Sequence, residues 1–291
     1  MDTRTGNFAI GFRRGWTDWQ KDLKSLSNWA KETGFDAIDL GKVTNDDAQT
    51  MKSAGVKLGS VDVIGMGQLM DNDAGKRKDL IAQNVAYVKE AAALGAKAFF
   101  TCIIPGDPAK KREENYRLAV DVFSPIADAC AQNGAALAVE GWPGGGPWFA
   151  NMCCTPETTR AFLKDVGAGA GLNYDPSHLI RLRVDHIRFL NEFIGSVKHV
   201  HAKDTEVDED ALYEFGTQTA TFVKGHGFGG PTWRYTIPGH GIARWLEIFR
   251  VLEKNEYDGI VSVELEDENF NGTDEGEKAA LKHSLAFLRG A

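Results

Sequence analysis

GSVKHVHAKD (195–204) is the stretch that decides the fold. A glycine opens it, a short apolar run follows, the run ends on His201, and a polar loop starts at Ala202-Lys203-Asp204. This is the pattern of a buried β-strand whose C-terminal end delivers a metal-binding side chain. The pattern recurs in AALAVE ending at Glu140, GAGLNYD ending at Asp175 and GIVSVE ending at Glu264. Carboxylate and imidazole groups at the C-terminal ends of successive parallel strands converge in a closed α/β barrel. Two Glu, one Asp and one His form an oxygen-rich set, which suits Mn²⁺ or Mg²⁺ better than a structural zinc. His201 is assigned to the barrel interior and His199 to the helix layer, as a structural residue.

Working outward, eight strand candidates appear: 7–12, 35–40, 56–63, 96–103, 136–142, 171–175, 196–202 and 259–265. Stretches of helical period separate them: 18–33, 44–54, 76–94, 113–132, 156–166, 184–194, 243–254 and 274–288. Gly34, Gly55, Gly95, Gly134 and Gly195 each follow a helical stretch and are expected to close it in the left-handed conformation. Thr44 and Thr155-Pro156 read as helix N-caps. Strict alternation implies parallel strands with right-handed crossovers. The expectation is a single (β/α)8 TIM barrel domain over residues 1–291 with long active-site loops. The first strand leads into GFRRGW, which lacks the glycine fingerprint of a dinucleotide-binding sheet.

Two segments break the rhythm. Residues 205–242 show no clean helix or strand and include Phe215, Phe222, Phe228, Trp233 and Tyr235, so they are read as an active-site loop or lid. Residues 141–154, GWPGGGPWFANMCC, follow Glu140 on the same face. With 43% hydrophobic and 25% charged residues, the 291-residue chain has the composition of a soluble globular protein. A net charge of −8 argues against a general grip on nucleic acid. Cys102, Cys130, Cys153 and Cys154 match no zinc or CxxC spacing and read as reduced thiols. No signal-type apolar region and no membrane-spanning run is visible, so a cytoplasmic location is expected, with neither a nucleic-acid nor a membrane partner.

AVEGWP, NYDPSHL, HVHAKD, IPGHG and YDGIVSVELED together resemble the xylose-isomerase-like superfamily of TIM barrels, in its sugar phosphate isomerase/epimerase branch, which is related to endonuclease IV. The resemblance covers nearly the whole chain and is most specific from Glu140 to Glu264. It implies that Glu140, Asp175, His201 and Glu264 hold the metal, and that Glu140 and Glu264 are also the acid/base pair. It implies that His178 of the DPSH motif contacts substrate oxygens, that Lys203 and Asp204 shape the site, and that Arg234 and His240 lie near the substrate. Mn²⁺ is the first choice of ion, with Mg²⁺, Co²⁺ or Zn²⁺ as alternatives. A carbohydrate substrate is implied, and a homo-oligomer is consistent with the family.

The chemistry agrees with this assignment. An isomerase or epimerase removes a proton beside a carbonyl, and a divalent cation stabilises the charge that develops on the adjacent oxygen. Two carboxylates then take and return the proton. Glu266 and Asp267, close to Glu264 in sequence, are candidates for setting the basicity of a metal-contacting carboxylate. Asp39 and Asp62 end the second and third strands and are candidate substrate contacts. Trp142 is assigned to substrate binding, and Trp16, Trp148 and Trp233 could stack on a sugar. The alternative is a lyase with the same first step, acting on a keto-inositol, keto-sugar or 3-keto-glycoside. DNA repair of the endonuclease IV type and a metal-free carbohydrate-binding module are weaker alternatives.

Overall fold

The structure, a computed structural model, describes residues 8–145, 149–218 and 220–291. Eight strands form a closed parallel barrel: Ala9–Arg13 (β1), Ala37–Leu40 (β2), Lys57–Asp62 (β3), Ala98–Cys102 (β4), Ala136–Glu140 (β5), Ala170–Tyr174 (β6), Val197–Ala202 (β7) and Ile260–Val263 (β10). β10 closes the ring between β1 and β7. All eight expected strands are therefore present; the expected position Asn7 and the candidate Trp148 lie outside the described residues. No described helix is long and apolar enough to cross a membrane.

Each strand splits its side chains between two layers, as a two-residue period requires. Phe12 packs outward against Trp29 and Phe35, Phe99 against Tyr87, and Tyr174 against Phe189. Burying each such ring stabilises the fold by about 2–3 kcal/mol. The inward positions are mostly polar or small, with Phe100 against the His201 ring as an exception. Asp39 accepts hydrogen bonds from Ser60 N, Ser262 Oγ and His199 Nε2 inside the barrel. Gly59 makes room for it, because a β-carbon there would lie 1.8 Å from Asp39 Oδ1. This corrects the assignment of His199 to the helix layer. Residues 199 and 201 are two apart and share a face, and their rings lie 5.4 Å apart in the interior.

The helices follow the expected pattern with a few differences, among them an added short helix, Pro176–Arg181. The first region divides into Asp18–Lys21 and Leu23–Thr33 because Asp22 caps the second helix through Ser25 N. Thr44 forms a capping box with Asp47, whereas Thr155 precedes its helix without a side-chain bond to the backbone N–H groups. Gly34, Gly55, Gly95 and Gly134 take positive φ as expected, but Gly195 does not; it sits within the 3₁₀ turn Ile194–Ser196.

The segment 205–242 contains a helix and strands, which corrects the expectation of neither there. Asp204–Val207 (β8) pairs antiparallel with Trp233–Thr236 (β9), and Glu209–Phe215 is helical. Both strands are four residues long and a long connection joins them, so neither alternation nor a tight-turn signal marks the hairpin in the sequence. Asp204 anchors it. Its carboxylate accepts from Thr205 N, Gly239 N, Ala243 N and Trp245 Nε1, folding the IPGHG segment against the barrel mouth. At the other side, Glu277 of the helix Asp274–Gly290 accepts from Thr17 Oγ1, Trp19 Nε1, Gln20 Nε2 and Gly272 N, tying the segment after β1 to the last helix.

His186 begins the helix His186–Phe193, and its Nε2 accepts from Arg244 N at 3.1 Å. Burial first, then Arg244, pushes its pKa down to about 4 from 6.5. The folded protein therefore binds this proton less readily than the unfolded chain. The stabilisation is fully present above about pH 6.5 and is lost as pH falls toward about 4, amounting to roughly 2–3 kcal/mol. Urea unfolding across this window should show the loss, and His186→Gln, which keeps an acceptor but cannot titrate, should flatten it. An unchanged slope in the variant would remove His186 from the account.

Candidate metal centre

β5, β6, β7 and β10 lie side by side in the ring, and Glu140, Asp175, His201 and Glu264 stand at or just beyond their C-terminal ends. One ligand atom from each lies within 4.8 Å of all the others. Glu140 Oε2 is 2.8 Å and Glu264 Oε2 3.4 Å from His201 Nδ1. Glu140, Asp175 and His201 are buried, and Glu264 is nearly so. Asp175 Oδ1 accepts from Ser177 N and so caps the short helix Pro176–Arg181, but its Oδ2 has no hydrogen-bond partner. Lys203 Nζ and His178 Nε2 each stand 3.4 Å from it without forming a hydrogen bond, so this buried oxygen keeps a free coordination position. The donor set and this oxygen fit a divalent ion. Cys102 Sγ lies 4.0 Å from Glu140 Oε1, and burial pushes its thiol well up.

Electrostatics favour positive charge here. Burial opposes a charged His201, yet Glu264 and Glu140 hold its pKa well above the ordinary histidine value. Burial likewise opposes Lys203, and Glu264, Glu266 and Asp175 outweigh it. Burial and mutual repulsion raise Glu140, but His201 and His178 bring it below the usual carboxylate range. Burial raises Glu264, and Lys203 and His201 more than offset this. Asp175 stays raised, burial being the main cause.

Lys203 enters the cluster from the strand end after β7. Its Nζ is 2.6 Å from Glu264 Oε2, 2.8 Å from Glu266 Oε2 and 3.4 Å from Asp175 Oδ2. His178 Nε2 is 3.1 Å from Glu140 Oε1. His178 and Lys203 thus both touch the cluster. Arg234 and His240 do not. Arg234 faces Glu206 across the hairpin, with Nε donating to Oε2 at 2.7 Å, because it alternates with the inward-facing Trp233 and Tyr235. His240 is exposed, its ring 6.2 Å from Phe270. Trp142 is partly exposed just beyond Glu140. Asp62 pairs with Arg13 through two bonds of 2.9 and 2.8 Å, and Asp39 serves the barrel interior. Asp267 turns away to accept from Ile237 N.

Sequence reasoning passed over four residues at the site. Arg13 ends β1, lies 4.6 Å from the Phe100 ring and reaches Glu264 Oε1 at 3.5 Å. Its position at a strand end was the available signal. Asn173, two residues before Asp175 and on the same face, donates to Glu140 Oε2 at 2.6 Å. Tyr235 and Arg181 join through the hairpin, which no local pattern announced. A pocket beside Glu264 is lined by Arg13, Trp16, Gln20, Glu266 and Asn271.

The model of the xylose isomerase-like TIM barrel family matches residues 27–291. The chain belongs to this family. An inosose dehydratase of Geobacillus thermodenitrificans is 26% identical over 154 residues, which is 53% of this chain and 48% of that relative. The match thus spans about half the length of that relative. Among solved structures, 3-keto-D-glucoside 4-epimerase YcjR of E. coli superposes with a TM-score of 0.70 at 16% identity, covering 97% of this chain and 99% of the other. D-psicose 3-epimerase of Clostridium cellulolyticum H10, solved with D-tagatose, gives 0.68 at 15% identity, covering 97% and 98%. At these identities the structural likeness shows the barrel fold. For this family member, the four-residue cluster at the C-terminal end of the barrel could hold a divalent cation.

Proposed function

We propose that the protein is a metal-dependent carbohydrate isomerase or epimerase that moves a proton beside a carbonyl. The observation that carries this reading is the convergence of Glu140, Asp175, His201 and Glu264 within 4.8 Å. Together they would hold a divalent ion, Mn²⁺ in our reading, whose chemistry is Lewis-acid stabilisation of charge on a substrate oxygen. Glu140 and Glu264 come from strands on either side of β6 and β7, so they approach a bound carbon from two directions. One carboxylate takes the proton and the other returns one. Glu140 is oriented by Asn173 and His178, and Glu264 by Lys203. His178 and Lys203 also offer N–H donors to substrate oxygens. The buried setting keeps water from competing for these groups.

A second reading is supported by the inosose dehydratase relatives. If a hydroxyl lies β to the carbonyl, loss of that hydroxyl completes a lyase reaction, with His178 or Lys203 as the donor that protonates it. Incubation in D₂O with Mn²⁺ separates the two. Keto-sugars and 3-keto-glycosides should take up one deuterium at the epimerised carbon with no loss of water or aglycone, as read by NMR. Dehydration of an inosose without epimer formation would replace the first reading by the second. No exchange with any of these substrates would overturn both.

A further inference from the structure

We propose that Tyr235, carried into the site by the β8–β9 hairpin and held by Arg181, is a positioning residue that fixes His178 in the Nε2–H form. The inference builds on the reading of Glu140 as a reacting carboxylate, and it gives the unusual hairpin a role in the site.

The donors and acceptors leave one consistent arrangement. Arg181 Nη1 lies 3.1 Å from Tyr235 Oη, and a guanidinium can only donate. The phenol oxygen therefore spends a lone pair on Arg181. Its own hydrogen then goes to His178 Nδ1, 2.7 Å away. Burial pushes the Tyr235 phenol above its ordinary value, so this hydrogen is retained. With Nδ1 accepting, the neutral ring carries its proton on Nε2 and donates to Glu140 Oε1 at 3.1 Å, with Asp175 Oδ2 at 3.4 Å. The opposite tautomer would turn the Nε2 lone pair toward two carboxylate oxygens and leave the phenol hydrogen without its acceptor. That arrangement combines repulsion with an unsatisfied buried donor.

The chain of contacts is braced at each step. The Arg181 guanidinium lies 4.2 Å from the centre of the Trp233 ring, and its other arm donates to the Gly144 carbonyl. Trp233 and Tyr235 share a face of β9, with ring centres 4.8 Å apart. Lys203 Nζ lies 4.4 Å from the centre of the Tyr235 ring. His178 and Arg181 occupy one short helix, Pro176–Arg181, so the hairpin clamps that helix at two points. The result is an imidazole that aims its single donor, Nε2–H, at Glu140.

The test is the tautomer itself, read without any substrate. Protein labelled with ¹⁵N-histidine, metal-free and loaded with Mg²⁺, is examined by long-range ¹H–¹⁵N NMR, with His178 assigned by the signals lost in His178→Gln. The expected wild-type pattern is a protonated, pyrrole-like Nε2 and an unprotonated, pyridine-like Nδ1. Tyr235→Phe should move both nitrogens toward tautomer-averaged positions, and Arg181→Gln, which keeps the phenol, should move them less. On the substrate found by deuterium exchange, Tyr235→Phe should lower kcat about 10–100-fold. A wild-type His178 protonated on Nδ1, or Tyr235→Phe leaving both nitrogens in place, would overturn the proposal. The wild-type spectrum decides the tautomer even if a variant fails to fold. Absence of turnover with the expected tautomer would instead count against the reaction.

Discussion

Glu140→Gln should lower turnover, measured as deuterium exchange into a keto-sugar, by at least about 10³-fold, at the upper end of what a positioned acid or base contributes. The substitution keeps the size of the side chain and removes its charge. Four polar groups surround this carboxylate: His201 Nδ1 at 2.8 Å, Asn173 Nδ2 at 2.6 Å, His178 Nε2 at 3.1 Å and the distant Cys102 thiol. The amide would turn its NH₂ toward one of these donors or ligands. It would also be a poorer ligand, so the variant should bind Mn²⁺ at least about tenfold more weakly by calorimetry. The two readouts separate the roles. Restored activity at saturating Mn²⁺ would mean that Glu140 only holds the ion and moves no proton.

Replacing Lys203 by Met should have two opposed effects. In metal-free protein the buried ammonium sits among Asp175, which is buried with it, and Glu264 and Glu266, which are partly exposed. Removing one member of such a group leaves buried carboxylates without compensation, which costs about 3–5 kcal/mol. The same ammonium competes with a divalent ion for Glu264 and Asp175. Lys203→Met should therefore unfold at lower urea than wild type in the presence of a chelator, yet bind Mn²⁺ more tightly. Saturating Mn²⁺ should recover most of the lost stability by mass action. Equal stability of the two metal-free proteins would show that the ammonium does not neutralise the cluster, and weaker ion binding would show that it supports the site.

The parts of this molecule legible in its sequence are those in which local pattern and tertiary position coincide. Each barrel strand is a short apolar run, and a strand end is a fixed place on the barrel face, so Glu140, Asp175, His201 and Glu264 could be grouped before any coordinates. Lys203 and His178 follow because they lie two and three residues beyond a member of this cluster. The hairpin was hidden because its two strands are short, distant in sequence and rich in polar and aromatic residues. Arg234 illustrates the consequence: once WRYT is a strand, alternation sends Tyr235 inward and Arg234 outward, to Glu206. The Asp39 interior was missed for a different reason. His199 and His201 share one face, and a polar group beneath a barrel site becomes visible only when Gly59 on a neighbouring strand is seen to leave space for it.

The closing position of β10 has a consequence for how the protein is made. During synthesis seven barrel strands and three of the four cluster residues leave the ribosome before Glu264 does. Until residues 260–263 insert, β1 and β7 are open edges, which can pair with other chains. Glu277, which fastens the segment after β1, is made later still. The four-residue cluster is therefore complete only on a finished barrel and never on the growing chain.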